Sequence, residues 1–598
     1  MSAEGRFILA IVLMLMVLVG TNLLFPPPAP PPPEEEPVEA PAPGDVVRDV
    51  PGDPEEAVPE PAPPVAEEQV RPGDPDLPEL VAEEEAPEVE VADPDVPERR
   101  VVVEGPLYRL EFSSIGARLH AAELSGFRSM TVEGPVQLVR DQEEGILGSR
   151  LVVGSDTVDL RRAPFRVIPE EGLRLEEGGP TDTLRFVYEH PTRPFSFEIR
   201  YAFDPDAYMI GVSGRARGLE RPLLVTDLGP GLAFNEADRG TEVRSMAYVV
   251  NHLQEGIRET ELGRVDEARL VDGPFHWMAL KSQYFVLGVL PLPTVEGGAD
   301  YLGGVMARPT EFDDEETAEV AVVQSMGSGG AVSYRIFAGP QDYGMLTAVG
   351  ENFQEVSPVG WRFMRPILRP FVGAVTWILV FLHENLNIGY GWVLILFGIM
   401  MRVVLFPLYH KSMKAQLRNM AVQPLLKEIQ TKYKDQPEKM QKELMRLYKE
   451  HGFNPIAGCW PMLLPWPILI ALFFVFQNTI ELRGVPFWWL PDLAARDPYY
   501  ILPVLLGVSM FLLQWISLRS LDEVNPQMKM MMWFLPIFML VLFSQFPSGL
   551  NLYYLTANVA TLPQSWWIAQ ERKKVQAKGP PRPAEAGAEA GKAGAEAG

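Results

Sequence analysis

The sequence predicts a multi-domain membrane protein: an α-helical five-span core with an N-terminal anchor helix, and an all-β sandwich domain held outside the bilayer between them. Three observations carry this prediction. An 18-residue, mostly apolar run, Phe7 to Leu24, stands near the start of the chain behind Arg6. Five apolar stretches stand near its end, at about 389–409, 460–480, 499–517, 529–546 and 549–568, close to the ~20 residues a helix needs to cross a bilayer. Between these regions the period of the pattern changes to two.

The first run, within residues 1–25, is too long for the apolar core of a typical cleaved leader, and no A-x-A-like site ends it. It reads as an uncleaved anchor with a cytoplasmic N-terminus. Residues 26–100 hold 23 acidic residues, 4 basic ones and 22 of the 58 prolines. Such a stretch buries too little apolar surface to fold and reads as a disordered, extended tether.

From Val101 to about Thr347, segments such as LYRLEF (Leu107–Phe112), TLRFVYEH (Thr183–His190), FSFEIRYAF (Phe195–Phe203), YFVLGVL (Tyr284–Leu290) and VSYRIF (Val332–Phe337) put apolar and polar side chains on opposite faces. Gly, Pro and Asp punctuate them, as expected of an antiparallel sandwich over 101–347. The sequence shows no phosphate loop and no metal spacing here, and the seven His of the chain are scattered.

In residues 348–388, Pro366 and Pro370 interrupt an apolar run and leave Phe371–Leu382 as its clean part. Twelve residues make about 18 Å of helix, too short for a ~30 Å hydrocarbon core, so an amphipathic helix lying in the interface is expected. The core then occupies 389–570, with a helical hairpin at 410–459 and a disordered tail at 571–598. That hairpin carries ten Lys/Arg against five acids, and the tail has Arg572, Lys573, Lys574 and Lys578. The loop 481–498 balances Arg483 and Arg496 against Glu481, Asp492 and Asp497. Both basic segments therefore belong in the cytoplasm and the β domain outside.

The net charge of −27 comes from the tether and the domain after it; residues 346–598 have 24 basic and 17 acidic residues. No DNA partner is expected. Cys459 is the single cysteine, so no intrachain disulfide can form, and a zinc site or a thiol nucleophile is not indicated. No cofactor is expected.

Arg402 is the anomaly of the core. None of the five apolar stretches contains Asp or Glu, and an arginine at bilayer depth costs about 2.5–3.5 kcal/mol on insertion scales. It either keeps water in a positively charged cavity or snorkels to the inner headgroups. In the hairpin, Met413, Met420, Met440 and Tyr448 fall on helical periodicity, with Pro437 between two runs. That face is either a membrane-skimming surface or a docking surface for apolar guests, with lysines for ribosomal RNA or lipid headgroups. Gln477, Asn478, Gln514, Gln545, Asn551, Asn558 and Gln564 can hydrate a groove or join helices. Tyr553 and Tyr554 follow the turn FPSGL (Phe546–Leu550), where an aromatic belt is the other reading.

The runs MRVVLFPLYHKSMKAQ (Met401–Gln416), FNPIAGCWPMLLPWPI (Phe453–Ile468), DPYYILPVLLGVSMF (Asp497–Phe511) and FPSGLNLYYLTAN (Phe546–Asn558) resemble the YidC/Oxa/Alb family of membrane protein insertases. The likeness covers roughly residues 360–575. The anchor, the exported domain and FAGPQDYGML (Phe337–Leu346) resemble its Gram-negative form, whose large domain is periplasmic. The resemblance implies an inner-membrane insertase and chaperone for newly made proteins, working alone or with the Sec translocon, with no enzymatic chemistry. It also implies a hydrophilic groove open to cytoplasm and lipid, whose arginine falls on Arg402 and whose substrate face falls on Tyr553 and Tyr554. Trp466 is grouped with that face; it follows Pro465, which stands where many relatives have a glutamine. A secondary transporter is the alternative, although the spans lack carboxylates, His and two-fold hydropathy symmetry. A membrane-tethered enzyme acting through the β domain is the third reading.

Overall fold

The computed structural model describes residues 97–293, 299–327, 329–357, 365–407, 466–519 and 526–578, with scattered positions between 429 and 447. The expected anchor, the tether up to residue 96, Cys459, Pro465 and most of the hairpin lie outside these residues.

Strands run from Arg100–Glu104 to Ala331–Pro340 and form a sheet of five and a sheet of fourteen strands. The alternating segments of the sequence become neighbours. Ser196–Phe203 pairs antiparallel with Asp182–Glu189 on one side and Met209–Arg217 on the other. Ala331–Pro340 then pairs with Met209–Arg217 and with Phe285–Pro291. Within Ser196–Phe203 the side chains of Phe197, Ile199, Tyr201 and Phe203 are buried and those between them are not, the inward/outward alternation of a pleated strand. Tyr108–Ser113 lies in the smaller sheet, and Phe112 crosses the gap between sheets, its ring 5.7 Å from Phe186 and 5.0 Å from Tyr201. This aromatic layer is the sandwich core, and it is the domain's substitute for a disulfide. The pairing departs from a purely antiparallel pattern at Val103 and Glu104, which run parallel to Leu173 and Arg174.

A helical region follows. Helix α1 spans Arg365–Leu386, longer than the twelve residues expected. Pro366 sits in the first turn, where backbone N–H groups have no helical partner to lose, and Pro370 lies inside the helix, removing one backbone hydrogen bond without ending it. Leu368, Val372, Val375 and Leu379 are buried at helical spacing and turn towards α3, spanning Trp466–Asn478, against which α1 packs. Trp377 (65% exposed) and Phe381 stack at 5.2 Å on the outer side.

Helix α2 (Tyr390–Pro407) and helix α4 (Ile501–Leu518) are long and apolar enough to cross a membrane. Helices α5 (Pro526–Phe543) and α6 (Ser548–Lys578) complete the described bundle. Val403, Val404, Val504, Val508, Ile537, Val541 and Val559 are exposed on these helices while Val393, Phe397, Leu502 and Leu506 are buried. Helices that are apolar both inward and outward fit a lipid surround, not water.

Candidate functional site

Several polar side chains of the helical region meet at α6. Its approach to α2 is close at Gly398: a Cβ there would stand 3.2 Å from Thr556 Cγ2 and 3.5 Å from the Tyr553 carbonyl oxygen. One turn along α2, the half-buried Arg402 donates from Nε to the Ala557 carbonyl across 3.1 Å. The same carbonyl accepts from Thr561 Oγ1 at 2.6 Å. The neighbouring residue ties α6 to the opposite helix. Asn558 Nδ2 donates to Ser509 Oγ on α4 at 3.1 Å, and Ser509 Oγ donates to the Leu506 carbonyl at 2.7 Å. Arg402, Thr561, Asn558 and Ser509 thus place a cation, hydroxyls and an amide among helices that both bury and expose many large apolar side chains. A charge on such a background interacts more strongly than in water, because the low dielectric screens it less.

Towards the other end of α6, Asn551 is buried and donates from Nδ2 to the Phe543 carbonyl at 3.0 Å, and its Oδ1 has no hydrogen-bond partner among the described residues. Tyr553 is buried (4% exposed), with its ring 5.7 Å from Phe397 and 6.1 Å from Phe476. Tyr554 is half-buried on the other side, edge-on to Phe543 at 5.1 Å. The exposed aromatics at the near end of the helices are instead Trp392 and Trp488, 6.0 Å apart, with Tyr499 and Tyr500. Trp466 is the first residue of α3. Met440 occupies a helical, half-buried position; Met413, Met420 and Tyr448 lie outside the described residues. Among the described residues no group of three or more His, Cys, Asp or Glu side chains could hold a metal ion.

The structure brings Arg402 and Asn558 to adjacent carbonyl and amide positions of one helix. Gly398, Ser509 and Thr561 belong to the same site but passed unnoticed in the sequence. The signal that could have found Gly398 and Ser509 is their small size within spans of large apolar residues, since small residues let membrane helices approach.

Comparison with known proteins adds an independent observation. The family model of the 60Kd inner membrane protein matches residues 381–576, and that of the YidC periplasmic domain matches residues 100–372. A relative from Chlorobium phaeovibrioides, named membrane protein insertase YidC, is 31% identical over 79% of this chain and 83% of its own length. The relative of that name from Chlorobium luteolum is 31% identical over 81% of this chain and 86% of its own length. Among solved structures, an active YidC insertase with its first transmembrane domain resolved is 17% identical over 81% of this chain and 95% of that one, with a TM-score of 0.32. A galactose mutarotase related enzyme from Lactobacillus acidophilus covers 40% of this chain and 97% of its own at 11% identity and a TM-score of 0.25. Neither structural likeness is strong enough to carry an argument.

Proposed function

The chain belongs to the YidC family of membrane protein insertases, and from that premise we propose that it inserts newly made proteins into the inner membrane and helps them fold there. In this reading five spans form a groove open to cytoplasm and lipid, with the N-terminal anchor as a sixth crossing, both termini in the cytoplasm and the β domain in the periplasm. The single observation that carries the groove is the Arg402–Ala557 contact between α2, an apolar helix long enough to cross a membrane, and α6.

The step to be accelerated is passage of a short polar tail through hydrocarbon. Burying an unsatisfied amide costs about 2–7 kcal/mol depending on the reference state. The Arg402 guanidinium offers an acidic tail an electrostatic partner part of the way, and Asn558, Ser509 and Thr561 offer hydrogen bonds to backbone that has left water. The attached apolar segment then partitions sideways into lipid past Tyr554. Hydrophobic partitioning supplies the drive, with the membrane potential adding about 2.3 kcal/mol per charge per 100 mV for acidic tails. The chain acts alone or with the Sec translocon, and the basic hairpin offers its lysines to the ribosome or to lipid headgroups.

The test is reconstitution. Liposomes holding the purified protein should convert an in vitro translated small membrane protein to a protease-protected form, and empty liposomes should not. Equal protection in both would refute the reading. Solute flux driven by an ion gradient in the same liposomes would favour a secondary transporter instead.

A further inference from the structure

Helix α2 has an outward face as well as a buried one. Trp392, Leu396, Ile399 and Val403 are exposed at spacings of four, three and four residues, so they form one stripe about 16 Å long down the helix. Val393, Leu394 and Phe397 are buried on the other side. Helix α4 repeats the arrangement, with Ile501, Val504, Val508, Leu512 and Trp515 exposed at helical spacing. Both helices are long and apolar enough to cross a membrane, and stripes of this kind suit hydrocarbon rather than water.

The loop between α3 and α4 sets a further aromatic group at the head of the α2 stripe. Phe487 and Leu490 exchange N–H to carbonyl hydrogen bonds, both 2.9 Å, and close a tight turn with Trp488 and Trp489 at its tip. The base of the turn is fastened by the Leu493 N–H, which donates to the Val485 carbonyl at 3.0 Å, and by Asp492 Oδ1, which accepts from the N–H groups of Gly484 and Ala494. Phe487 is 8% exposed and fills the notch left by Gly391 in the first turn of α2, where a Cβ would stand 2.1 Å from Phe487 Cδ2. Trp488 stacks on Phe487 at 4.9 Å and meets Trp392 edge-on at 6.0 Å, yet it remains 68% exposed. Its backbone is left-handed, with φ 53°, a conformation that a bulky side chain disfavours. Among the described residues from 365 onwards, the other non-glycines in that region are Asn387 and Tyr500. Asparagine tolerates it. Tyr500 is a second exposed aromatic, and it stands directly before the α4 stripe. At the head of each stripe a strained backbone therefore displays an aromatic ring outward.

From Val485 to Pro491 (VPFWWLP) no side chain is charged. The charges that flank this run turn elsewhere. Arg483 donates from Nε to Glu236 Oε1 at 2.7 Å, and Arg496 pairs with Asp238 at 2.9 Å, so the flanks of the loop hold the β domain and leave Trp488 uncovered. We propose that the tip Phe487–Leu490, together with Tyr500, binds the phospholipid leaflet on the β-domain side, with the exposed rings at the boundary between headgroups and acyl chains. Tryptophan and tyrosine suit that layer because each joins an apolar ring to one polar N–H or O–H group. The occupant is lipid rather than a protein surface, because the rings continue stripes that face hydrocarbon and the neutral tip offers no charge to set the register of a protein partner. Seated there, the tip fixes the depth of the adjoining ends of α2 and α4. The anchor stands on these contacts whether or not Arg402 serves a groove.

The experiment is electron paramagnetic resonance power saturation on the purified full chain in liposomes of phosphatidylethanolamine and phosphatidylglycerol. A nitroxide is attached through Pro486→Cys, an exposed position beside the tip, in a Cys459→Ser background, and Asp156→Cys on the β domain supplies the aqueous reference. The label at 486 should collide freely with oxygen and several-fold less often than the label at 156 with a neutral nickel chelate, as expected about 5–10 Å into the interface. Trp488→Asn, which suits the left-handed backbone, should raise nickel collisions at 486 towards the aqueous value, and Trp488→Phe should keep them low. Nickel collisions at 486 equal to those at 156 would overturn the proposal. Shielding from both oxygen and nickel would overturn it too, because the tip would then lie under protein, as in contact with a second copy of this chain. Unchanged collisions in Trp488→Asn would remove Trp488 from the anchor.

Discussion

Replacing Arg402 separates charge from mere bulk in the proposed groove. Arg402→Ala deletes the guanidinium and leaves the Ala557 carbonyl with its hydroxyl donor from Thr561, so the helix pair loses a cross-link without gaining a bare acceptor. A hydrogen bond to a charged group is worth about 1.5–3 kcal/mol. An acidic tail passing ~5 Å from the guanidinium at an effective dielectric of ~20 gains about 3 kcal/mol. Loss of hydration by the tail opposes that gain, leaving about 1.5–3 kcal/mol on the barrier, a roughly 10- to 150-fold slower insertion. Arg402→Lys keeps the charge but loses the Nε geometry, and should stay within about fivefold of the parent. The assay is protease protection in liposomes with two clients that differ only in Asp or Asn at one tail position. The Ala variant should slow the Asp client far more than the Asn client. Equal rates for parent and Ala variant with the acidic client, or equal slowing of both clients, would refute the electrostatic role.

Other outcomes follow from buried contacts. Phe112→Ala opens a void between the two sheets beside Phe186 and Tyr201, and should destabilise the β domain by about 3–5 kcal/mol in denaturant titration followed by near-UV circular dichroism. Asp497 is buried and accepts from the N–H of Leu502 at 2.7 Å and of Tyr499 at 3.0 Å at the start of α4. Asp497→Ala should therefore cost about 0.5–2 kcal/mol, seen as a lowered thermal midpoint in detergent. Burial, aided by the Glu236 charge and opposed by N–H donors from Asn235 and Glu236, pushes Glu242 up to about 7. The unfolded chain then binds fewer protons between pH 4.5 and 7, so β-domain stability falls as pH rises through that window; Glu242→Gln should flatten the dependence in thermal melts.

Period-two alternation made the sandwich readable because each strand has one buried face, and the register of Ser196–Phe203 against its neighbours follows that pattern. The extent of α1 is not legible from its prolines: Pro366 in the first turn removes no hydrogen bond, and Pro370 lies inside the helix without ending it. Arg402 was conspicuous because a cation is locally improbable in an apolar run. Its partner on α6 was not, because every residue offers a carbonyl and side-chain periodicity does not mark which one is met. Glu481 and Arg483 looked like balanced loop charges; Arg483 lies 247 residues from Glu236 in sequence, beyond any local pattern. Tyr553 and Tyr554 are adjacent letters with the same chemistry, yet helical geometry turns one into the Phe397–Phe476 layer and the other towards Phe543.

Photo-crosslinking during synthesis tests the central reading most directly. A photoreactive residue in place of Tyr554 should capture a small membrane protein stalled part-way into the bilayer, and the same probe at the β-domain position Val132 should not. An active insertion reaction with no client captured at Tyr554 would contradict a path that leads past the last helix into lipid.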